Sequence, residues 1–132
     1  MKNFIGIDLG TTNTVLYSVH ADSKDFAPEL FTIPQLTAAG ESEKKSSLPS
    51  FVYLPDAKDL PAGALDLPWA ENRDFCVGAF ARKASSQTPG KVISSAKSWL
   101  CSQNIDRTAK VLPWNRGNED RQISPLEASA RL

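Results

Sequence analysis

Apolar and polar positions alternate strictly at the start of the chain. Ile5, Ile7 and Leu9 fall on one side of an extended segment and Asp8 on the other; after Gly10-Thr11-Thr12-Asn13, the positions Val15, Tyr17 and Val19 resume the alternation. Two strands joined by a turn are predicted. Glu29 to Ile33 reads as a third strand closed by Pro34, and the polar stretch 37–47 as an exposed loop. Leu48 to Leu54 reads as another strand, with Pro49 suited to a strand start or an edge. Pro55, Pro61, Gly63 and Pro68 then forbid a helix, so 55–73 is expected to be a long ordered loop, pinned by Leu60, Leu65, Leu67 and Trp69.

The period changes in the second half. Phe75-Cys76-Val77 suggests a short strand, and Val77, Phe80, Ala81 and Ala84 stand at i, i+3, i+4 and i+7, which predicts a short amphipathic helix. Beyond the break at Pro89 and Gly90, a second helical pattern places Val92, Ala96, Trp99 and Leu100 on one face. Lys97 sits at the margin of that stripe, where its stem packs while the ammonium reaches sideways; periodicity alone favours a snorkelling surface lysine. Val111-Leu112-Pro113 and Arg121-Gln122-Ile123 flank the turn-rich Trp114-Asn115-Arg116-Gly117-Asn118, a predicted hairpin whose Arg116 and Arg121 read as solvated charges. Ser124, Pro125 and Glu127 form a strong helix start: N-cap, first helical position and capping box. Only about two turns follow it, fewer than an isolated helix needs, which suggests a polypeptide cut inside an element.

Composition narrows the partners. Fifteen basic and fifteen acidic residues cancel over 132 positions, so no net field draws the chain to nucleic acid or anionic lipid. The length fits one domain or part of one. Cys76 and Cys101 form no CxxC and His20 is the single histidine, which excludes a zinc set and suggests reduced, structural thiols. Neither a signal-peptide pattern nor a run of bilayer length occurs, so the expected compartment is cytoplasmic, with no membrane partner.

The opening turn carries the candidate chemistry. Gly10 lets backbone approach an anion closely, and the main-chain N–H groups with the Thr11 and Thr12 hydroxyls can donate to phosphate oxygens. Asp8 offers a hard oxygen for the Mg²⁺ that accompanies nucleotide phosphates, through bound water. An ordinary edge hairpin explains the same residue types equally well. A Walker phosphate loop is excluded, because neither Gly10 nor Gly90-Lys91-Val92 has its spacing; a Rossmann GxGxxG is also missing. The SxxK pattern of serine acylases occurs twice, at Ser94 to Lys97 and Ser42 to Lys45, but without the SDN and KTG elements that complete such a site.

Gly6-Ile7-Asp8-Leu9-Gly10-Thr11-Thr12-Asn13-Thr14 resembles the first phosphate motif of the actin-like ATPases, and most of all that of the seventy-kilodalton heat-shock chaperones of the DnaK type. Leu48-Pro49-Ser50-Phe51-Val52-Tyr53 is similar to that family's proline-serine strand, and Val77-Gly78-Ala79-Phe80-Ala81-Arg82 to its valine-glycine-x-x-alanine-basic helix start. Ser95-Ala96-Lys97-Ser98-Trp99-Leu100 falls where the family carries its catalytic lysine. The matches span most of the chain in order, and together they are far more specific than the turn alone.

This resemblance implies an α/β (mixed) fold of the actin-like ATPase, ribonuclease H-like kind, with residues 1–132 as the N-terminal part of lobe I. It implies that Asp8 holds the Mg²⁺ hydration shell, that Gly10, Thr11, Thr12 and Asn13 line the phosphate tail of ATP or ADP, and that Lys97 meets the γ-phosphate and attacking water. Client peptides and cochaperones would engage the complete protein. The second phosphate motif, the adenosine site, the catalytic acidic residue and the peptide-binding domain would lie beyond Leu132, leaving this stretch inactive alone. The long Pro55–Trp69 loop and the Ser98-Trp99-Leu100-Cys101 run depart from ordinary members and suggest a divergent bacterial branch. Two rivals share the opening pattern. One is a bacterial actin-like filament protein, which Thr88-Pro89-Gly90 fits and Thr12 does not; the other is a carbohydrate kinase, which leaves the matches around Val77 and Lys97 unexplained.

Overall fold

In a computed structural model the chain is described over residues 2–114 and 121–132. The alternating start folds as expected: β1 (Asn3–Leu9) and β2 (Asn13–His20) form an antiparallel hairpin in continuous register from Asn3↔His20 to Leu9↔Thr14. The other edge of β2 is shared by β3 (Glu29–Phe31) and β6 (Leu48–Pro49), which completes a four-stranded sheet. Pro49 faces Asn13 there. Ser50 N–H bonds the Thr12 carbonyl, so the hydrogen-bonded pairs of this ladder are Thr12–Ser50 and Thr14–Leu48; Pro49 falls on the pair between them, where its missing N–H leaves nothing unsatisfied.

The stretch 37–47 is not the loop expected of it. It belongs to a second hairpin, β4 (Ile33–Ala38) and β5 (Glu41–Lys45), with a register shift between Leu36 and Ala38 and Gly40 at φ 72 in the bend. Nor does Pro34 end a strand, since the chain leaves β3 and starts β4 at Ile33. The polar residues hid the strand because β5 is exposed throughout and buries no alternating face.

The core lies around a three-stranded sheet in which β7 (Phe51–Tyr53) is central, between β8 (Cys76–Val77) and β9 (Val92–Ser94). Both faces of this sheet are covered. Tyr53, Cys76 and Val92 are cross-strand partners on one face and pack with Ala81 and Ala84 of α1 (Ala79–Ser85). Val52 and Ile93 are partners on the other and pack with Ala96 of α2 (Ala96–Leu100) and Ala128 of α3 (Pro125–Arg131). The helical period therefore begins later than the sequence suggested: Val92 belongs to a strand, reached through a 3-10 turn at Pro89–Lys91, and the second helix starts at Ala96. Ser124 caps α3 as expected, its hydroxyl accepting from Glu127 N–H at 3.0 Å with Pro125 in the first turn, while the Glu127 carboxylate, expected to complete a capping box, accepts from Arg131 at 2.8 Å.

α1 lacks a side-chain cap of its own. Gln35, 2% exposed, supplies one from β4: its Oε1 accepts from Ala79 N–H at 2.8 Å while its Nε2 donates to the Ser47 carbonyl at 2.9 Å. Gly78 makes room for it, at φ 90 and with a Cβ position 2.5 Å from both Gln35 Oε1 and Leu48 Cδ1.

The 55–73 stretch is a turn-rich ordered segment, as expected. Leu65 is buried, Leu60 and Leu67 pack against the core, but Trp69 is 61% exposed and pins nothing. Lys91 holds the segment by bonding Asp59 and, at 2.8 Å, Asp56. Arg121 is not a solvated charge: it bonds Asp74 at 3.1 Å and the Pro55 carbonyl at 2.8 Å. The Asn115–Asn118 turn and Arg116 lie outside the described residues, although the isolated bridge Leu112↔Ile123 brings the flanks of that predicted hairpin together. Both cysteines are free thiols, Cys76 buried and Cys101 exposed, so only Cys76 has the structural place expected of both. No described helix is long and apolar enough to cross a membrane.

Two outcomes follow. Burial pushes the Cys76 thiol up to about 12, so iodoacetamide at pH 8 should label Cys101 alone in the native chain and both thiols after denaturation, as read by intact mass. The hydrogen bond from Lys91 holds the Asp59 carboxyl below its ordinary 3.8, so the pair stabilises the fold above that pH and the contribution is lost as pH falls through the depressed value. Lys91→Met should cost roughly 0.5–1 kcal/mol at pH 7 in urea unfolding, and the gap from wild type should narrow as the pH falls below 3.8.

Candidate functional site

The turn between β1 and β2 is built so that its carbonyls are held from behind. Ser50, 3% exposed, sits where the chain crosses from β6 to β7. Its N–H donates to the Thr12 carbonyl at 2.8 Å and its hydroxyl to the Gly10 carbonyl at 2.9 Å. Inside the turn Gly10 N–H bonds the Asn13 carbonyl at 2.9 Å. A Cβ on Gly10 would stand 2.4 Å from that same carbonyl oxygen, so the close approach admits glycine alone. The Thr11 and Thr12 amides donate to no described residue, and both side chains are exposed. The turn thus keeps acceptors bound and donors available, the polarity that suits an anion.

Lys97 arrives from the far side of the sequence. After β9 the chain turns through Ser95 in the left-handed region at φ 54, and Ala96, 1% exposed, anchors α2 in the core. Trp99 of the same helix stacks on Trp114 with centroids 5.6 Å apart. With both neighbours committed, the Lys97 side chain reaches β1 and its Nζ donates to the Leu9 carbonyl at 2.7 Å, across 88 residues of sequence. The lysine therefore reaches the strand end one residue before Gly10.

Asp8 pairs with Val15 and its side chain lies on the sheet face opposite that of Ile7 and Leu9. Neither Asp8 nor Lys97 forms an ion pair among the described residues, so both charges are uncommitted near the turn. No group of three or more His, Cys, Asp or Glu gathers among the described residues. A divalent cation here would be held by one carboxylate, ligand oxygens and water, which is the habit of Mg²⁺. Five of the expected residues, Asp8, Gly10, Thr11, Thr12 and Asn13, lie on one hairpin at or beside its turn, and the sixth, Lys97, reaches the end of β1 from α2. Ser50 was missed as a positioning residue. A serine beside Pro49 was visible, but its two bonds to the turn exist only once β6 pairs with β2.

Fold and turn together define a mixed sheet-and-helix domain with antiparallel sheets and a glycine-threonine hairpin turn whose Thr11 and Thr12 amides donate to no described residue. No protein-family model matches the chain, and no curated protein matches it significantly in sequence.

Gly10→Ala should destabilise the chain by more than about 1 kcal/mol in urea unfolding, while Gly6→Ala, whose Cβ meets nothing within 4 Å, should not. Ser50→Ala should cost about 1 kcal/mol and speed amide exchange in the turn.

Proposed function

We propose that this chain carries the phosphate-holding part of an ATP-binding and ATP-hydrolysing domain of the actin-like, ribonuclease H-like kind, belonging to a chaperone of the seventy-kilodalton heat-shock type. The observation that carries the reading is the delivery of the Lys97 ammonium to the Leu9 carbonyl beside the turn. Folding does not require it. A carbonyl at an exposed strand end is satisfied by water, so the lysine is better understood as a mobile cation parked beside the position of its ligand.

Gly10, Thr11, Thr12 and Asn13 would hold the phosphate tail through N–H and hydroxyl donors, and Asp8 would hold Mg²⁺ through its water shell. The metal, when bound, would neutralise phosphate charge. Lys97 would exchange the Leu9 carbonyl for the γ-phosphate and orient the attacking water. Phosphoryl transfer asks for positioned cations more than covalent work, which is what a lysine and a carboxylate near one turn can provide. Client peptides and cochaperones are partners of the complete protein in this reading, and the cytoplasm its place of action.

Titration with Mg·ATP followed by amide NMR tests this. The amides of Gly10 to Asn13 should shift, and Lys97→Ala should weaken binding about tenfold, the share of one hydrogen bond from a charged donor. Unmoved turn amides at millimolar nucleotide would refute the site; unchanged affinity in Lys97→Ala would remove the lysine from it.

A further inference from the structure

Among the described residues β1 pairs with β2 alone, and its other edge is open. Every residue of it is exposed, with Phe4 at 63%, Ile5 at 67% and Ile7 at 58%, and no proline or lysine interrupts Asn3–Leu9. Long apolar edges of this kind template further strand pairing. The direction of the free groups can be read from the hairpin. Gly10 N–H bonds the Asn13 carbonyl and Ala21 N–H the Lys2 carbonyl, so the even residues of β1 bond to β2. The N–H and C=O groups of Asn3, Ile5 and Ile7 therefore point out of the edge, and the outward carbonyl of Leu9 is taken by Lys97.

We propose that a second copy of this chain takes that edge, antiparallel, about a two-fold axis at Ile5. In this register Asn3 exchanges hydrogen bonds with Ile7 of the second copy, and Ile5 with Ile5. The even residues form the close, non-hydrogen-bonded pairs: Lys2 faces Asp8 of the other copy and Phe4 faces its Gly6, each pair occurring twice. Opposite charges meet, and an aromatic ring covers the glycine that lacks a side chain. Sliding the copies so that Gly6 faces Gly6 loses all of this. Phe4 would oppose a carboxylate, Lys2 would oppose Gly10, and the outermost bonds would need the Leu9 carbonyl that Lys97 occupies. Sliding the other way sets Phe4 against Phe4 and Lys2 against Gly6, and leaves Asp8 with no residue opposite. The proposal does not rest on the nucleotide reading, and because it gives Asp8 to Lys2 it describes the nucleotide-free chain.

Sedimentation equilibrium of the full chain at 10–100 µM, without nucleotide, tests it. Wild type should show twice the monomer mass. Lys2→Asp should raise the dissociation constant at least tenfold, and the charge-exchanged double variant Lys2→Asp with Asp8→Lys should recover the dimer. Ile5→Pro removes an outward N–H that the hairpin does not use, so it should give a monomer whose circular dichroism is native. A monomeric wild type overturns the proposal. So does a dimer indifferent to both Lys2→Asp and Ile5→Pro, which would have to use another surface, and so does open-ended growth beyond two copies.

Discussion

Ser50 joins the two halves of the molecule. It stands at the crossing from the exposed four-stranded sheet to the covered three-stranded one, and both its donors are spent on the turn of the first hairpin. A buried hydroxyl bonded to a carbonyl holds direction as well as position. Once it is set, the Gly10–Asn13 turn is tied to β7, and β7 is the strand whose two faces organise both clusters of the core.

Lys97 depends on that arrangement from the other side. Its reach to Leu9 requires α2 to be fixed over one face of the covered sheet, which Ala96 and the Trp99–Trp114 stack accomplish, and it requires the left-handed residue Ser95 to redirect the chain after β9. A serine at positive φ costs about 1–2 kcal/mol relative to extended or helical backbone. Strain of that kind sits where geometry is specified by more than local preference. Here it lies two residues before the lysine that meets the turn.

The first sheet and the second differ in how they are finished. The covered sheet is a closed small core with helices on both sides, whereas β1 presents apolar side chains and backbone donors together at an edge. A strand edge is satisfied by another strand and a sheet face by a packed layer. Our reading assigns the β1 edge, with its outward N–H and C=O groups, to another copy of the chain.

Strong local signals were legible without a structure. The β1–β2 alternation, the α1 stripe around Ala81 and Ala84, and the Ser124-Pro125-Glu127 start each depend on residues within one turn or one strand, and each appears where its pattern placed it. The 33–45 hairpin was illegible because its second strand is polar and exposed, and Val92 was misread because an apolar residue near a helix carries no mark of which element owns it. The sequence by itself determined which groups stand close together in the chain, the Asp8 carboxylate beside the donor-rich Gly10–Asn13 turn, and offered a lysine of unknown direction. Only the tertiary structure decided that Lys97 faces that turn and that Ser50 holds it, because these are contacts across 88 and 40 residues, set by packing around β7 and by no local preference.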